Sequence, residues 1–255
     1  MRLVPGRSIP LVLIRVFQYH DPGNTLFQKS EENHNESHGL QRQSAQKKWN
    51  TVTLLKSALE GAASVGAETE LVQLYDLDFS GCISCFSCKK RSRKADGVCS
   101  VQDDLTDVLE RVRKADALII GSPVYYGCES AATRALLERL CFPYLVYAKP
   151  PRSLFPRRIN TAMIYTMNVP EGMIPTVGYD HVFARTKMTL AMHFGACEVL
   201  LATDTRQYTD YDKYDVELFN KEDKYKRHAE VFPEDCKRAF ALGVRMASGK
   251  VPDPA

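Results

Sequence analysis

Four of the eight cysteines lie between positions 82 and 99, close enough to act together. Cys82, Cys85 and Cys88 are each separated by two residues, which puts three thiolates in one tight turn. Three corners of a four-iron cluster need this arrangement, and Cys99 would then supply the fourth. The same spacing also suits a four-thiolate zinc site. A reduced cysteine loop that packs or carries out thiol chemistry is the third alternative.

A basic run lies within this cysteine loop and consists of Lys89, Lys90, Arg91, Arg93 and Lys94. Short runs of charge are usually exposed loop tips, and we interpret this run in that way. Two functional alternatives stay open. The run could lower the pKa values of the neighbouring thiols, or it could dock an acidic redox partner or the phosphate of NADPH.

A second candidate site follows a predicted buried strand. Residues Ala117 to Ile120 form an apolar run without charge, which is typical of a strand buried on both faces of a parallel sheet. The sequence GSPVYYG follows, from Gly121 to Gly127. Ligands bind at loops after the carboxyl ends of parallel strands. Backbone amides, a rigid proline and two tyrosines suit a flat aromatic ligand.

A third candidate site is the segment SAQKKWNT, Ser44 to Thr51, which precedes a predicted helix. Asn50 is the expected N-cap of that helix, with Thr51 just inside it. Hydroxyl, amide and lysine groups at a helix N-terminus form an anion site, because free backbone N–H groups and the helix dipole favour phosphate. An ordinary helix cap with two exposed lysines is the alternative.

Strands and helices alternate along the chain, which predicts a doubly wound parallel sheet. After a candidate first strand at Ile9–Phe17, the predicted strands are Glu70–Tyr75, Ala117–Ile120, Ile159–Thr166 and Ala196–Thr203. The predicted helices are Thr51–Gly66, Asp104–Lys114, Glu129–Leu140, Val182–Phe194 and Pro233–Ala247. The stretch Thr205–Glu230 is interpreted as a mostly solvated connection.

Composition limits the classes of protein. The 255 residues are 44% hydrophobic and 25% charged, enough for one α/β domain with extensions. A formal net charge of +3 gives no reason to expect binding to nucleic acid or to a membrane surface. Arg15 interrupts the first apolar run, and no stretch reaches transmembrane length. We therefore expect a cytoplasmic protein.

From about Ser44 to about Thr203, the chain resembles the NADPH-dependent FMN reductases of the flavodoxin-like superfamily, and especially their iron–sulfur flavoprotein relatives. The two loops and the cysteine cluster occur in the order found in that family. In the family, a Gly-Ser-x-Arg-x-x-x-Asn-Thr loop holds the FMN phosphate. Ser44, Asn50 and Thr51 match this pattern, whereas Gln46 stands where arginine is usual.

The resemblance also implies which residues contact the flavin ring and which fold the chain adopts. The GSPVYYG loop lies against the isoalloxazine in the family, so it implies flavin contacts at Pro123, Val124, Tyr125, Tyr126 and Gly127. It implies a flavodoxin-like three-layer sandwich with a parallel sheet in the order 2-1-3-4-5. The domain limits that follow are an atypical N-terminal segment at 1–43, an FMN-binding domain at 44–204, and a charged extension with a final helix at 205–255.

The implied activity is electron transfer from NAD(P)H through FMN to an acceptor, which is a small molecule or a protein, in a homo-oligomer. No side chain is expected to act as a catalytic acid or base. One alternative is an iron–sulfur flavoprotein that receives electrons from ferredoxin through a [4Fe–4S] cluster on the four cysteines. A flavodoxin-like module without a flavin, with zinc or free thiols in the cysteine loop, is the other.

The chain departs from the family pattern before the phosphate loop. Relatives have a buried strand there, but this chain has the polar sequence ESHGLQRQ. Either Ile9–Phe17 is the first strand, followed by a long insertion, or the first strand has been lost or replaced. We favour loss or replacement, because a long structureless loop inside a compact domain counts against a strand assignment.

Overall fold

The protein is described by a computed structural model that covers residues 10–15, 49–91 and 96–248. The strands are β1 (Pro10–Arg15), β2 (Glu68–Gln73), β3 (Ala117–Tyr125), β4 (Cys128–Glu129), β5 (Leu145–Val146), β6 (Arg152–Ser153), β7 (Ile159–Thr166) and β8 (Gly195–Ala202). The α-helices are α1 (Asn50–Ser64), α2 (Leu105–Lys114), α3 (Ala131–Cys141), α4 (Tyr179–Phe194), α5 (Lys221–Glu230) and α6 (Phe232–Ala247).

The main sheet is parallel and runs in the order β2-β1-β3-β7-β8. Two short pieces add to it, because β4 pairs antiparallel with the end of β3, and β5 and β6 form a separate two-stranded sheet. The chain moves from β1 outward to β2 and then crosses to β3 on the other side of β1. This reversal is the topological switch point, where open α/β sheets bind their ligands.

The preference for a lost first strand was wrong. Pro10–Arg15 lies in the middle of the sheet, with Leu11 paired to Thr69 of β2 and to Ala117 of β3. Residues 16–49 then connect this strand to α1. The cost of closing a loop grows only with the logarithm of its length, about 0.6 kcal/mol for each doubling. A long insertion therefore costs little beside a strand that is hydrogen-bonded on both edges.

Helices cover both faces of the sheet and form two hydrophobic cores. Residues of β3 alternate between them, since Leu118 and Ile120 face α2, α3 and α4, whereas Ala117 and Ile119 face α1 and α6. This is the three-layer α/β sandwich expected from the sequence. Strand β3 is buried from Ala117 to Pro123, which agrees with its apolar and uncharged sequence.

Helices α1 and α6 touch along their backbones. A Cβ atom at Gly61 would overlap the carbonyl of Phe240, and one at Gly243 would overlap the carbonyl of Ala58. The two helices therefore pack closely enough that neither glycine can be replaced without moving them apart. Helix α1, whose N-terminus lies at the carboxyl edge of the sheet, is held in place by this contact.

Candidate functional site

A cleft of about 140 Å³ opens at the carboxyl ends of β3 and β7. Three parts of the chain form its wall: the start of α1, the ends of the two strands, and the loop after β8. The lining residues are Trp49, Asn50, Thr51, Val52, Pro123, Val124, Tyr125, Thr166, Met167, Asn168, Thr205, Arg206 and Gln207. The cleft thus lies where the strand order predicts a ligand site.

The N-terminus of α1 faces this cleft without a side-chain cap. The prediction that Asn50 is the N-cap was wrong, because Trp49 holds that position and Asn50 is the first helical residue. The Asn50 side chain instead donates from Nδ2 to the carbonyl of Arg206 at 2.8 Å. No acidic residue lies in the first turn. The free N–H groups of that turn and the helix dipole therefore favour an anion.

Thr51 joins the start of α1 to the end of β7. Its Oγ1 lies 2.7 Å from Oγ1 of Thr166, and both hydroxyls are buried. A hydroxyl has one donor and two acceptor positions, so this bond leaves hydrogen-bonding capacity for a ligand. Asn50 and Thr51 thus lie in the predicted site. Ser44 and Gln46, the other two predicted phosphate ligands, lie outside the described residues.

The predicted flavin loop is the end of β3 and a hairpin. Pro123, Val124 and Tyr125 lie on β3 and line the cleft. Tyr126 and Gly127 form the two-residue turn to β4, with φ of 47° and 83°. Positive φ at both positions is what a type I′ hairpin turn needs. Tyr126 is fully exposed, and these two residues form the tip of the hairpin beyond the cleft wall.

A buried carboxylate on β4 fixes this hairpin, and the sequence analysis missed it. Oε1 of Glu129 accepts hydrogen bonds from the Tyr165 hydroxyl and from Thr186 Oγ1, each at 2.6 Å. Nη1 of the half-exposed Arg134 lies 3.5 Å from Oε2. Burial and then the charge of Glu129 raise the pKa of Tyr165, which keeps its hydroxyl a donor. The network ties the hairpin to β7 and α4.

Two residues that line the cleft each carry a buried polar atom with no hydrogen-bond partner within the described ranges. These atoms are the hydroxyl of Tyr125 and Oδ1 of Asn168. Burial raises the pKa of Tyr125, so the hydroxyl is neutral and available as a donor. Buried polar groups are nearly always paired in proteins. A ligand with polar atoms along its edge, such as the isoalloxazine of FMN, fits this wall.

The loop after β8 also belongs to the cleft, which corrects the interpretation of residues 205–230 as a solvated connection. Thr205 Oγ1 donates to the carbonyl of Met167 at 3.1 Å. Thr205, Arg206 and Gln207 line the cleft, and α5 follows them. No pattern in the sequence distinguished this charged stretch from ordinary surface. Only the position of the last strand brings it to the site.

The four predicted metal ligands surround one small hollow. Cys82, Cys85, Cys88 and Cys99 all line it, with Glu138 and Arg139 of α3 beside them. In the residues that the structure describes, no three His, Cys, Asp or Glu side chains lie close enough to hold one metal ion. The four thiols thus share one hollow, and both the four-iron cluster and the zinc site stay predictions.

Arg139 holds the fourth cysteine in place. It is only 1% exposed, and its Nε donates to the sulfur of Cys99 at 3.1 Å. Its two terminal nitrogens bind both carboxylate oxygens of Asp103, at 2.7 and 3.1 Å. They also donate to the carbonyls of Ser80 and Val101. One guanidinium therefore joins α3 to both sides of the cysteine loop.

Lys89 is a structural residue, in contrast to the interpretation of its basic run as an exposed tip. Its Nζ donates to the carbonyls of Phe142, Pro143 and Leu145 and lies 4.6 Å from the centre of the Phe142 ring. Lys90 and Arg91 are exposed, and Arg93 and Lys94 lie outside the described residues. Lys89 fixes the cysteine loop against the end of α3.

The thiols differ in their surroundings. Burial raises the pKa of Cys88, although the charge of Lys89 opposes this effect. Hydrogen bonds from the backbone and side chain of Ser87 lower the pKa of Cys85, which is exposed. Lys89 and Lys90 therefore have a smaller effect on the pKa values of these two thiols than burial and local hydrogen bonds.

Within the described residues, every helix is too short or too polar to span a lipid bilayer.

A model of the family described as NADPH-dependent FMN reductase matches residues 43–190, more than half of the chain. This match includes the start of α1, the cysteine loop and the β3–β4 hairpin.

Curated relatives match over shorter segments. An iron–sulfur flavoprotein of Methanocaldococcus jannaschii is 39% identical over 90 residues, 35% of this chain and 44% of that protein. One of Archaeoglobus fulgidus is 36% identical over 92 residues, 36% of this chain and 43% of that protein. The chain thus spans less than half the length of these relatives.

Solved structures match over nearly the whole chain. An NAD(P)H:quinone oxidoreductase of Methanothermobacter marburgensis aligns with a TM-score of 0.62 and 13% identity, covering 94% of this chain and 96% of that one. An FMN-dependent NADH-azoreductase of Bacillus anthracis, solved with FMN, aligns with a TM-score of 0.57 and 11% identity, covering 94% and 99%. At these identities the likeness is one of fold.

Proposed function

We propose a function for this chain from the family to which it belongs, the NADPH-dependent FMN reductases. The chain binds FMN in the cleft at the carboxyl ends of β3 and β7. It takes electrons from NADH or NADPH and passes them to an acceptor. The acceptor is a small oxidised molecule or a redox protein.

One observation carries this proposal: the cleft pairs an anion site with a wall for an aromatic ring. The uncapped N-terminus of α1 forms one end. Pro123, Val124 and Tyr125 form the wall, and the unpaired atoms of Tyr125 and Asn168 are available to polar atoms of a ring. FMN carries a phosphate at one end and a flat polar-edged ring at the other.

When bound, FMN supplies the redox chemistry, and the residues of this chain bind and orient it. Free N–H groups in the first turn of α1 bind the phosphate, with Thr51 beside them. Strand β3 holds the ring, and its hairpin is made rigid by the bonds of Glu129 to Tyr165 and Thr186. Rigid walls hold a reactive ring more accurately than mobile loops do.

The variant Tyr125→Phe tests the assignment through two effects of opposite sign. In the flavin-free protein it removes an unpaired buried hydroxyl, which should raise the free energy of unfolding by about 1 kcal/mol. In the complex it removes a hydrogen bond, which should weaken FMN binding about three- to tenfold. Urea unfolding measures the first effect and quenching of flavin fluorescence the second. Tyr147→Phe, at an exposed tyrosine, is the matched control and should change neither quantity.

Two results would contradict these assignments. Purified protein that does not bind FMN in a titration, and does not oxidise NADH or NADPH with FMN and a quinone present, contradicts the proposal. Equal FMN affinity of the wild type and Tyr125→Phe would show that the Tyr125 hydroxyl does not bind the flavin.

A second candidate is an iron–sulfur flavoprotein that carries electrons through a [4Fe–4S] cluster to or from FMN, with ferredoxin as its donor. The specific support is that four cysteines line one hollow beside the buried Arg139. Sulfur ligands of this number suit iron–sulfur clusters. Proteins named iron–sulfur flavoproteins are also among the relatives of the chain.

Metal analysis and visible absorption of anaerobically purified protein distinguish this second candidate from the first. A cluster predicts about four irons per chain by metal analysis, together with broad visible absorption beside the flavin bands. Cys99→Ser should lower the iron content, whereas Cys236→Ser, at a partly buried cysteine of α6, should not. Purified protein that contains flavin but no iron favours the reductase. Protein that contains zinc but no flavin favours the flavodoxin-like module without a flavin. The homo-oligomer and the cytoplasmic location stay predictions.

A further inference from the structure

We infer that Arg206 binds the phosphate of the flavin, and that the loop after β8 thereby makes the cleft select FMN over riboflavin. This inference rests on the proposed function, because it names a ligand of the same site. Its basis is the charge of the cleft wall, the position of Arg206 and the way its loop is held.

Arg206 is the only charged residue among the described residues that line the cleft. The others are apolar side chains, hydroxyls and amides. A flavin phosphate brings almost two negative charges at neutral pH. Backbone N–H groups at a helix N-terminus supply only about half a positive charge. A cation in the wall balances more of this charge, and Arg206 is the one that the described wall offers.

Arg206 also lies at the correct end of the cleft. Its carbonyl accepts the hydrogen bond from Asn50 Nδ2 at 2.8 Å, and Asn50 is the first residue of α1. The backbone of Arg206 is thus joined to the helix end that the proposed function assigns to the phosphate. Its guanidinium forms no ion pair with any carboxylate in the described segments. Its charge is therefore available to a ligand.

The loop that carries Arg206 is held on both sides. Before it, the N–H and hydroxyl of Thr205 both donate to the carbonyl of Met167, at 2.9 and 3.1 Å. After it, the N–H of Gln207 donates to the hydroxyl of Tyr211 at 3.0 Å. A cation on a fixed backbone loses little freedom on binding, which favours affinity.

The test compares FMN with riboflavin, which has the same ring but no phosphate. Dissociation constants for both flavins are measured by fluorescence quenching with wild type, Arg206→Gln and Arg206→Lys. In Arg206→Gln, FMN affinity should fall about 10- to 100-fold, the range for a lost hydrogen bond to a charged group. Riboflavin affinity should change less than about twofold, since the ring contacts remain. Arg206→Lys should give an intermediate loss, because the charge remains and the fork of donors does not.

The control is Arg152→Gln, which removes the same charge from exposed β6 and should change neither affinity. If Arg206→Gln weakened the binding of FMN and riboflavin equally, the inference would be overturned. Arg206 would then act by stabilising the loop and not by binding the phosphate. Unchanged FMN affinity would overturn it as well, while leaving the proposed function in place. Wild type that binds neither flavin would overturn both.

Discussion

Replacing Arg139 with methionine should destabilise the protein strongly, because this guanidinium has all its partners inside the fold. Its five hydrogen bonds go to Cys99, to two backbone carbonyls and twice to Asp103. Methionine fills much of the same volume but donates nothing. The substitution leaves the carboxylate of Asp103 without its cation in a place where its side chain is 15% exposed.

The expected loss in the free energy of unfolding is about 3 kcal/mol. Breaking a buried ion pair by removing one partner typically costs about 3–5 kcal/mol. The lower end applies here, because Asp103 keeps some contact with water and still accepts a bond from the N–H of Leu105 at 3.2 Å. For a domain of this size, that loss lowers the melting temperature by roughly 6–12 °C.

Urea unfolding at pH 7 measures the loss, and a double-mutant cycle assigns its cause. Asp103→Asn in the wild type should also destabilise, since it leaves Arg139 charged and unpaired. In Arg139→Met, the same change should restore stability, because it removes the unpaired charge. The expected coupling is more than about 1 kcal/mol. Arg152→Met, at an exposed arginine, is the control and should cost less than about 0.5 kcal/mol.

The same pair predicts a pH dependence. Burial alone would raise the pKa of Asp103, but the hydrogen bonds and charge of Arg139 outweigh it and hold that pKa below its usual value. A lowered pKa in the folded state contributes stability above the unfolded value of about 3.9, and this stability is lost as the pH falls through the folded pKa. The difference between wild type and Arg139→Met should therefore shrink in acid. Additive single variants, or a cost below about 1 kcal/mol for Arg139→Met, would refute this account.

Two further substitutions test the elements that position the cleft. Gly243→Ala puts a Cβ onto the carbonyl of Ala58 and should cost at least about 1–3 kcal/mol by forcing α6 away from α1. The matched control is Gly172→Ala, where an added Cβ meets open space. A Gly243→Ala variant as stable as wild type in urea would contradict the packing described. Thr51→Val removes the buried bond to Thr166 and should cost about 1–3 kcal/mol, because it leaves the Thr166 hydroxyl unpaired. A variant with the melting temperature of wild type would contradict the role given to this bond.

The sequence predicted the layers of the fold because its local patterns and its tertiary structure agree. The apolar run of β3 is buried as expected, and the helix predicted at Asp104–Lys114 is α2. The spacing of Cys82, Cys85 and Cys88 explains why these three thiols line one hollow, since residues three positions apart cannot lie far from one another; the metal stays a prediction. The first strand was misjudged, because its place in the sheet depends on pairing with β2 and β3 rather than on any local signal.

Contacts between distant segments could not be predicted in the same way. Nothing near Cys99 in the chain indicates that Arg139 binds its sulfur. Nothing near Arg206 indicates that its loop meets the start of α1, more than 150 residues earlier in the chain. Such contacts depend on how whole strands and helices are arranged, and their individual residues carry no periodic pattern.

By itself, then, the sequence determined which residues have the chemistry for the site: four thiols in one loop, a proline and two tyrosines after a buried strand, and a hydroxyl at the start of α1. Tertiary structure alone decided which of them share a wall, that Tyr126 lies at an exposed tip, and that Arg206 joins the cleft. The reason is physical. Side-chain chemistry is a local property of the chain, whereas the carboxyl edge of a parallel sheet exists only after its strands have paired.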